Sequence, residues 1–233
     1  MSKNKIGFVV VTYNKPELLD YQIKLINKNC LNTNYEINIV DNSTKPDAIS
    51  EIAKICESYG VNYTKVMHQE SWASVSHAKA FNHFYDNHKS EYDYLFFLDH
   101  DLFPIKNFDV IELLDGSDIA GCRNFINGVE YMFPGCLILK RTDEVINFIP
   151  LHGLDTGCQL SGFIKKHKHR FLKADNKPIG DGKYKHTRLH GFYNIIHNET
   201  FIHFIKASNW MNLPEADFKV REDDLLNVLK ANL

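Results

Sequence analysis

Asp99 and Asp101 flank His100 at the end of a strongly apolar run, Tyr94-Leu95-Phe96-Phe97-Leu98. In extended backbone, residues two apart project to the same side. Two carboxylates converging at a strand end repel unless a cation sits between them. Hard carboxylate oxygens suit Mg2+ or Mn2+, with diphosphate oxygens completing the shell. The plain alternative is a solvated turn, since Asp is common where strands end. The apolar run before the triplet favours a site. By alternation, His100 points away from the metal and stays outside its ligands.

The elements that must position this triplet read as follows. Ile6 to Val11 is a continuous apolar run, the pattern of a strand buried on both faces. Pro16 can open a helix carrying Leu18, Leu19, Ile23, Leu25 and Ile26. Glu36 to Val40 is a second strand ending in Asp41-Asn42-Ser43, and Pro46 opens a second helix. Val61 to Val66 is a third strand, Ser74 to His88 a third helix, and Tyr92 to Leu98 a fourth strand. Strand and helix therefore alternate over the first hundred residues. That implies right-handed crossovers and a parallel sheet, with ligands beyond the carboxyl ends of its strands. Polar residues stand at those ends: Thr12-Tyr13-Asn14, Asp41-Asn42, His68-Gln69 and the Asp99 triplet. Further on, strands are expected at Ser117–Arg123, Gly135–Lys140 and Thr200–Ile205, and helices at Thr142–Phe148, Thr156–Lys166 and Glu222–Ala231. Lys177–Gly191 reads as a loop.

Four segments carry a resemblance. Val9-Val10-Val11-Thr12-Tyr13-Asn14, Ile39-Val40-Asp41-Asn42-Ser43-Thr44, His77-Ala78-Lys79-Ala80-Phe81-Asn82 and Tyr94 to Asp101 match, in order and spacing, the donor half of a glycosyltransferase of the GT-A fold. The chain resembles glycosyltransferase family 2 over about residues 6–105. The resemblance implies a single-domain α/β protein with a Rossmann-like, mostly parallel sheet flanked by helices. Residues 1–105 would form the nucleotide-sugar half, and 106–233 an acceptor half closed by a terminal helix. It also implies roles. Thr12, Tyr13 and Asn14 line the nucleotide pocket, Asp41 holds the nucleobase, Asp99 touches the donor's ribose or sugar, and Asp101 binds the metal on the diphosphate. In this fold a late His often adds a ligand. His203 fits that place, with His190 and His197 as competitors and a structural strand histidine as the plain reading.

Inverting transfer needs a carboxylate to take the acceptor's proton. By resemblance Asp155 stands there, Leu154-Asp155 replacing the family's frequent Glu-Asp pair. Equally, Asp155 could simply cap a helix starting near Thr156. Gly135 would allow close backbone approach or mark a bulge. Lys79 is placed to contact a phosphate or to be solvated. Trp72 could stack on a sugar or sit at the core edge, and 180–186 could order over the donor as a lid or simply be floppy.

Composition bounds the rest. The chain has 233 residues, 44% of them hydrophobic and 24% charged, with a net charge of −2. That suits one globular domain and gives no polybasic patch for nucleic acid. Five cysteines without paired spacing read as reduced thiols, mostly small core residues of a cytoplasmic protein. The run Ile6–Val11 is too short for a membrane span, so a soluble protein, able to work at a membrane surface, is expected. The expected partners are a nucleotide-diphosphate sugar and a glycan or lipid-linked acceptor, with Mn2+ or Mg2+ as cofactor. The alternatives are a non-catalytic sugar-nucleotide or carbohydrate-binding module, or a sugar-phosphate nucleotidyltransferase. Against the latter, Thr12-Tyr13-Asn14-Lys15-Pro16 replaces a Gly-rich basic loop. The absence of G-x-G-x-x-G after the first strand and of a P-loop argues against dehydrogenase and NTPase readings.

Overall fold

The computed structural model describes residues 4–67, 70, 72–151, 153–178, 192–204 and 215–233. His68, Gln69, Ser71, His152, the possible lid at 180–186, His190 and 206–210 lie outside them.

Four parallel strands form the first half of the main sheet. They are β1 (Ile6–Thr12), β2 (Tyr35–Asp41), β3 (Asn62–Lys65) and β4 (Tyr94–Asp99). Helices α1 (Pro16–Asn29), α2 (Pro46–Tyr59) and α3 (Ala73–His88) connect them. Both prolines stand in the first helical turn, where a missing N–H costs nothing. Gly60 ends α2 in the left-handed conformation, φ 63°, that glycine adopts without a Cβ penalty.

Beyond β4 come β5 (Leu102–Pro104), α4 (Val110–Leu114), β6 (Ile119–Ile126) and β7 (Val129–Lys140). They are followed by α5 (Leu160–Ile164), β8 (His169–Leu172), β9 (Ala174–Pro178), β10 (Phe192–Ile196), β11 (Phe201–His203) and α6 (Glu215–Asn232). The main sheet has the order β3-β2-β1-β4-β7-β6-β8. A smaller sheet runs β5-β11-β10-β9, all pairs antiparallel.

Strand alternation sorts the core into two faces. Phe8, Val10, Phe96 and Leu98 pack with Leu19 and Ile23 of α1 and Ile52 of α2. Val9, Val11, Leu95 and Phe97 pack with Phe81 and Phe84 of α3. Phe97 is fully buried, with Phe81 at 5.3 Å and Phe148 at 5.1 Å between ring centroids. Phe97→Ala is expected to cost about 3–5 kcal/mol in chemical denaturation, because the void beneath the triplet cannot refill.

Three expectations fail here. Residues 142–148 form no helix; Asn82 Oδ1 instead accepts from the Phe148 amide, holding the segment extended along α3. The helix expected from Thr156 is confined to Leu160–Ile164, because Gly157 at φ 81° breaks the right-handed path. The loop expected over 177–191 fails at its first two residues, since β9 runs to Pro178 and pairs with β10, and 179–191 lie outside the described residues.

Candidate functional site

The acidic turn joins the two sheets. Val11 pairs with Asp99 across β1 and β4, which sets the turn at the carboxyl end of the central strands. From the turn, β5 leaves into the smaller sheet, where Leu102 pairs with His203. The Phe204 amide donates to the Asp101 carbonyl at 2.9 Å, so the end of β11 is fastened to the turn. A short left-handed turn precedes β11: His197, Asn198 and Glu199 all have positive φ, closed by the Thr200 amide and hydroxyl on the His197 carbonyl.

This pairing brings together three groups that the chain separates by a hundred residues. One ligand atom each from Asp99, Asp101 and His203 lies within 4.8 Å of the others. His203 Nε2 approaches Asp101 Oδ1 at 3.3 Å, while its Nδ1 is buried with no hydrogen-bond partner among the described residues. Burial pulls the His203 pKa down, but Asp101 and then Asp99 outweigh it and raise it overall. The ring stacks on Phe133 at 5.3 Å. Two hard carboxylates and an imidazole, with Asp101 and His203 buried and Asp99 half-buried, fit Mn2+ or Mg2+.

His77 is the residue that sequence reasoning missed. Its Nε2 stands 2.9 Å from Asp99 Oδ1 in an ion-pair contact, and its ring packs at 4.5 Å from Phe81. Burial lowers its pKa, but Asp99, then Asp155 and Asp101, raise it overall. Helical spacing could have found it: His77 shares a stripe with Phe81 and Phe84, whereas Lys79 points outward and pairs with Glu70. Gln22 was also missed. Fully buried on α1, its Nε2 donates to the carbonyls of Asp99 at 2.8 Å and Leu102 at 2.7 Å, clamping the turn.

Gly135 lies directly against Asp99. A Cβ there would stand 2.3 Å from Oδ2 and 2.4 Å from Cγ. The close approach expected of this glycine therefore serves the carboxylate.

At the ends of β1 and β2, Asp41 is fully buried, and both of its oxygens are engaged, Oδ1 by the Ser43 amide at 2.8 Å and Oδ2 by the Tyr63 hydroxyl at 2.9 Å. Burial, then the Asp41 contact, holds the Tyr63 phenol well above its usual range. Lys65 caps the carbonyls of Asp41, Ser43 and Val66. Thr12 is enclosed at the end of β1, and the Tyr13 hydroxyl is 3.4 Å from that of Thr44. Asn14, at φ 52°, accepts through its side-chain oxygen from the amides of Thr44 and Lys45, and its own amide donates to the Ser43 hydroxyl oxygen at 2.7 Å. It ties the first two strand-end loops together. Asn14→Ala is expected to cost about 0.5–1.5 kcal/mol, because the two exposed amides exchange its oxygen for water, and to weaken nucleotide binding in a direct titration.

Asp155 lies next to the start of α3. Its Oδ1 accepts from Thr156 N at 2.7 Å, and the Thr156 hydroxyl donates to the Ser74 carbonyl at the start of α3. Asp155 does not cap a helix, because α5 starts five residues later. Its Oδ2 makes no hydrogen bond to another described residue, and its charge is felt by His77.

The five cysteines are free thiols, four of them buried. Among the described residues, no helix is long and apolar enough to cross a membrane.

Comparison with known proteins agrees with this architecture. A mannosyltransferase, PcManGT from Pyrobaculum calidifontis, described in complex with GDP-Man and Mn2+, superposes with a TM-score of 0.53 at 12% identity, over 73% of this chain and 55% of that one. The chain thus spans about half the length of that protein. TarS 1-349 from S. aureus gives a TM-score of 0.51 at 14% identity, over 96% of this chain and 71% of that one. These likenesses bear out the GT-A fold. No curated protein matches the sequence. The model of glycosyl transferase family 2 matches residues 8–131, more than half of the chain and the whole stretch from β1 past the acidic turn, and the protein belongs to that family.

Proposed function

We propose that the chain transfers a glycosyl group from a nucleotide-diphosphate sugar to a hydroxyl of a glycan or lipid-linked acceptor, with inversion and with Mn2+ or Mg2+ as cofactor. The observation that carries this reading is the convergence of Asp99, Asp101 and His203 at the carboxyl end of β4. The fold relative described with GDP-Man and Mn2+ supports the pairing of nucleotide sugar and divalent cation.

Asp101 and His203 would hold the cation, with Asp99 beside it toward the ribose or sugar. The cation supplies positive charge against the diphosphate as the sugar leaves. Tyr13 and Asn14, with Thr12 behind them, shape the nucleotide pocket. Asp41, already organised by Ser43 and Tyr63, offers its remaining lone pairs to the N–H groups of a base. Lys79 reaches a phosphate only by leaving Glu70. Asp155 keeps Oδ2 for the acceptor hydroxyl and takes its proton as the new bond forms.

Asp155→Asn tests the enzymatic reading. Loss of a general base lowers turnover by about 10²–10⁴-fold, with donor affinity unchanged. Unaltered turnover removes Asp155 from the mechanism. A wild-type protein that binds nucleotide sugars without transferring to any hydroxyl acceptor is a binding module instead. Pyrophosphate released from a nucleoside triphosphate and a sugar phosphate would favour nucleotidyl transfer.

The raised pKa of His203 gives a pH dependence. A proton on the imidazole competes with the metal. Mn2+ affinity, followed by calorimetry, is expected to rise as pH climbs from 6 through the His203 titration above its ordinary value. Without metal the sign reverses: His77 and His203 contribute stability below their unfolded pKa, and it is lost as pH passes the raised folded values.

A further inference from the structure

Three buried polar atoms have no hydrogen-bond partner among the described residues: Gln22 Oε1, Thr12 Oγ1 and His100 Nε2. Their placement is not scattered. The Gln22 amide reaches the turn, with Nε2 on the carbonyls either side of His100 and Asp101, and Oε1 belongs to that same planar amide. Its orientation is fixed, because two carbonyl acceptors require the NH2 end. Thr12 follows Val11, which pairs with Asp99, so Thr12 stands beside His100 at the neighbouring strand end. By alternation Thr12 shares the face of Phe8 and Val10, which pack on α1. His100 contacts the Val11 backbone, and with Nε2 unpartnered that contact falls to Nδ1, which donates to the carbonyl. The remaining ring nitrogen is then an acceptor.

Two acceptors and one hydroxyl suit one particular guest. A water molecule can donate to Gln22 Oε1 and to His100 Nε2 and accept from Thr12 Oγ1. Buried waters typically make about three such bonds to groups that would otherwise be orphaned. A metal ion does not suit this set as well, because the carboxylates face the other side of the strand end.

We propose that a single buried water, held by Gln22, Thr12 and His100, underpins the acidic turn and makes these three positioning residues for the metal-binding carboxylates. The positioning half rests on the reading that Asp101 holds a metal; the water itself does not. His100, set between the two aspartates, thus acts through the turn and not on the cation.

A crystal structure of the full chain with Mn2+ and a nucleoside diphosphate, at a resolution that shows ordered solvent, is expected to place one water within hydrogen-bond distance of all three atoms. His100 Nε2 bonded to a ribose or sugar hydroxyl, or three atoms with no water among them, overturns the proposal. In solution, His100→Leu is expected to weaken Mn2+ binding about 10-fold, the lower end for partners of metal ligands. Nucleotide binding measured without metal should not change. His100→Gln, which returns an amide oxygen near the Nε2 position, is expected to recover most of the loss. His100→Leu binding Mn2+ as tightly as the wild type overturns the positioning role. Should the wild type bind no divalent metal at all, the metal reading fails while the crystallographic arm still decides the water.

Discussion

Gly135→Ala is expected to abolish metal-dependent activity in a protein that still folds. The added methyl would stand 2.3 Å from Asp99 Oδ2 and 2.5 Å from Phe133 Cζ, both inside van der Waals contact. Asp99 cannot withdraw cheaply, because its other oxygen is held by His77 and its carbonyl by Gln22. Phe133 cannot withdraw either without disturbing the ring of His203 that it supports. The clash is therefore resolved at the site, through displacement of two of its three ligand-bearing groups. Loss of a supported ligand geometry should weaken Mn2+ binding by about 10–100-fold. Calorimetric titration with Mn2+, beside a thermal melt without metal, separates this from unfolding. Wild-type affinity in Gly135→Ala would show that Asp99 has room that the structure denies it.

Asp101→Asn should have a comparable effect by a different route. The amide keeps the side chain's shape and its backbone tie to Phe204, but removes the charge that faces His203 and that, on the proposed function, would hold the cation. Metal charge stabilisation is worth several kcal/mol in the transition state, and each 1.36 kcal/mol is tenfold in rate. A loss of about 10³-fold in kcat is expected, with donor binding weakened when measured in the presence of Mn2+ and unchanged when measured in its absence. Equal turnover by the variant and the wild type would remove Asp101 from the metal site.

The donor half of the site was legible because it is local. A fully apolar strand followed by a polar residue announces a strand end, and four such ends in alternation with helices announce a parallel sheet. Asp99 and Asp101 needed only period-two geometry. Among twelve histidines only the family resemblance singles out His203; the pairing of β5 with β11 that brings it to Asp101 is long-range and leaves no local trace. On α3 the charge of Lys79 is the conspicuous feature, but it pairs outward with Glu70, while His77 lies on the inward stripe with Phe81 and reaches Asp99. Gln22 reads as an ordinary helix residue until its amide is seen to cross the turn. The helices expected over 142–148 and from Thr156 failed for related reasons. Apolar spacing there serves contacts with α3, and the positive φ of Gly157 is set by packing, since a Cβ would meet Pro134 at 2.9 Å.

The central claim is that the Asp99, Asp101 and His203 cluster holds a divalent cation for a nucleotide diphosphate. A thermal-shift series of nucleoside diphosphates, each with and without Mn2+, tests it most directly. At least one nucleotide is expected to raise the melting temperature only when Mn2+ is present, by an amount that grows with ligand concentration, and His203→Ala should remove that shift. Stabilisation that is the same with and without Mn2+, or no shift from any nucleotide, would contradict it.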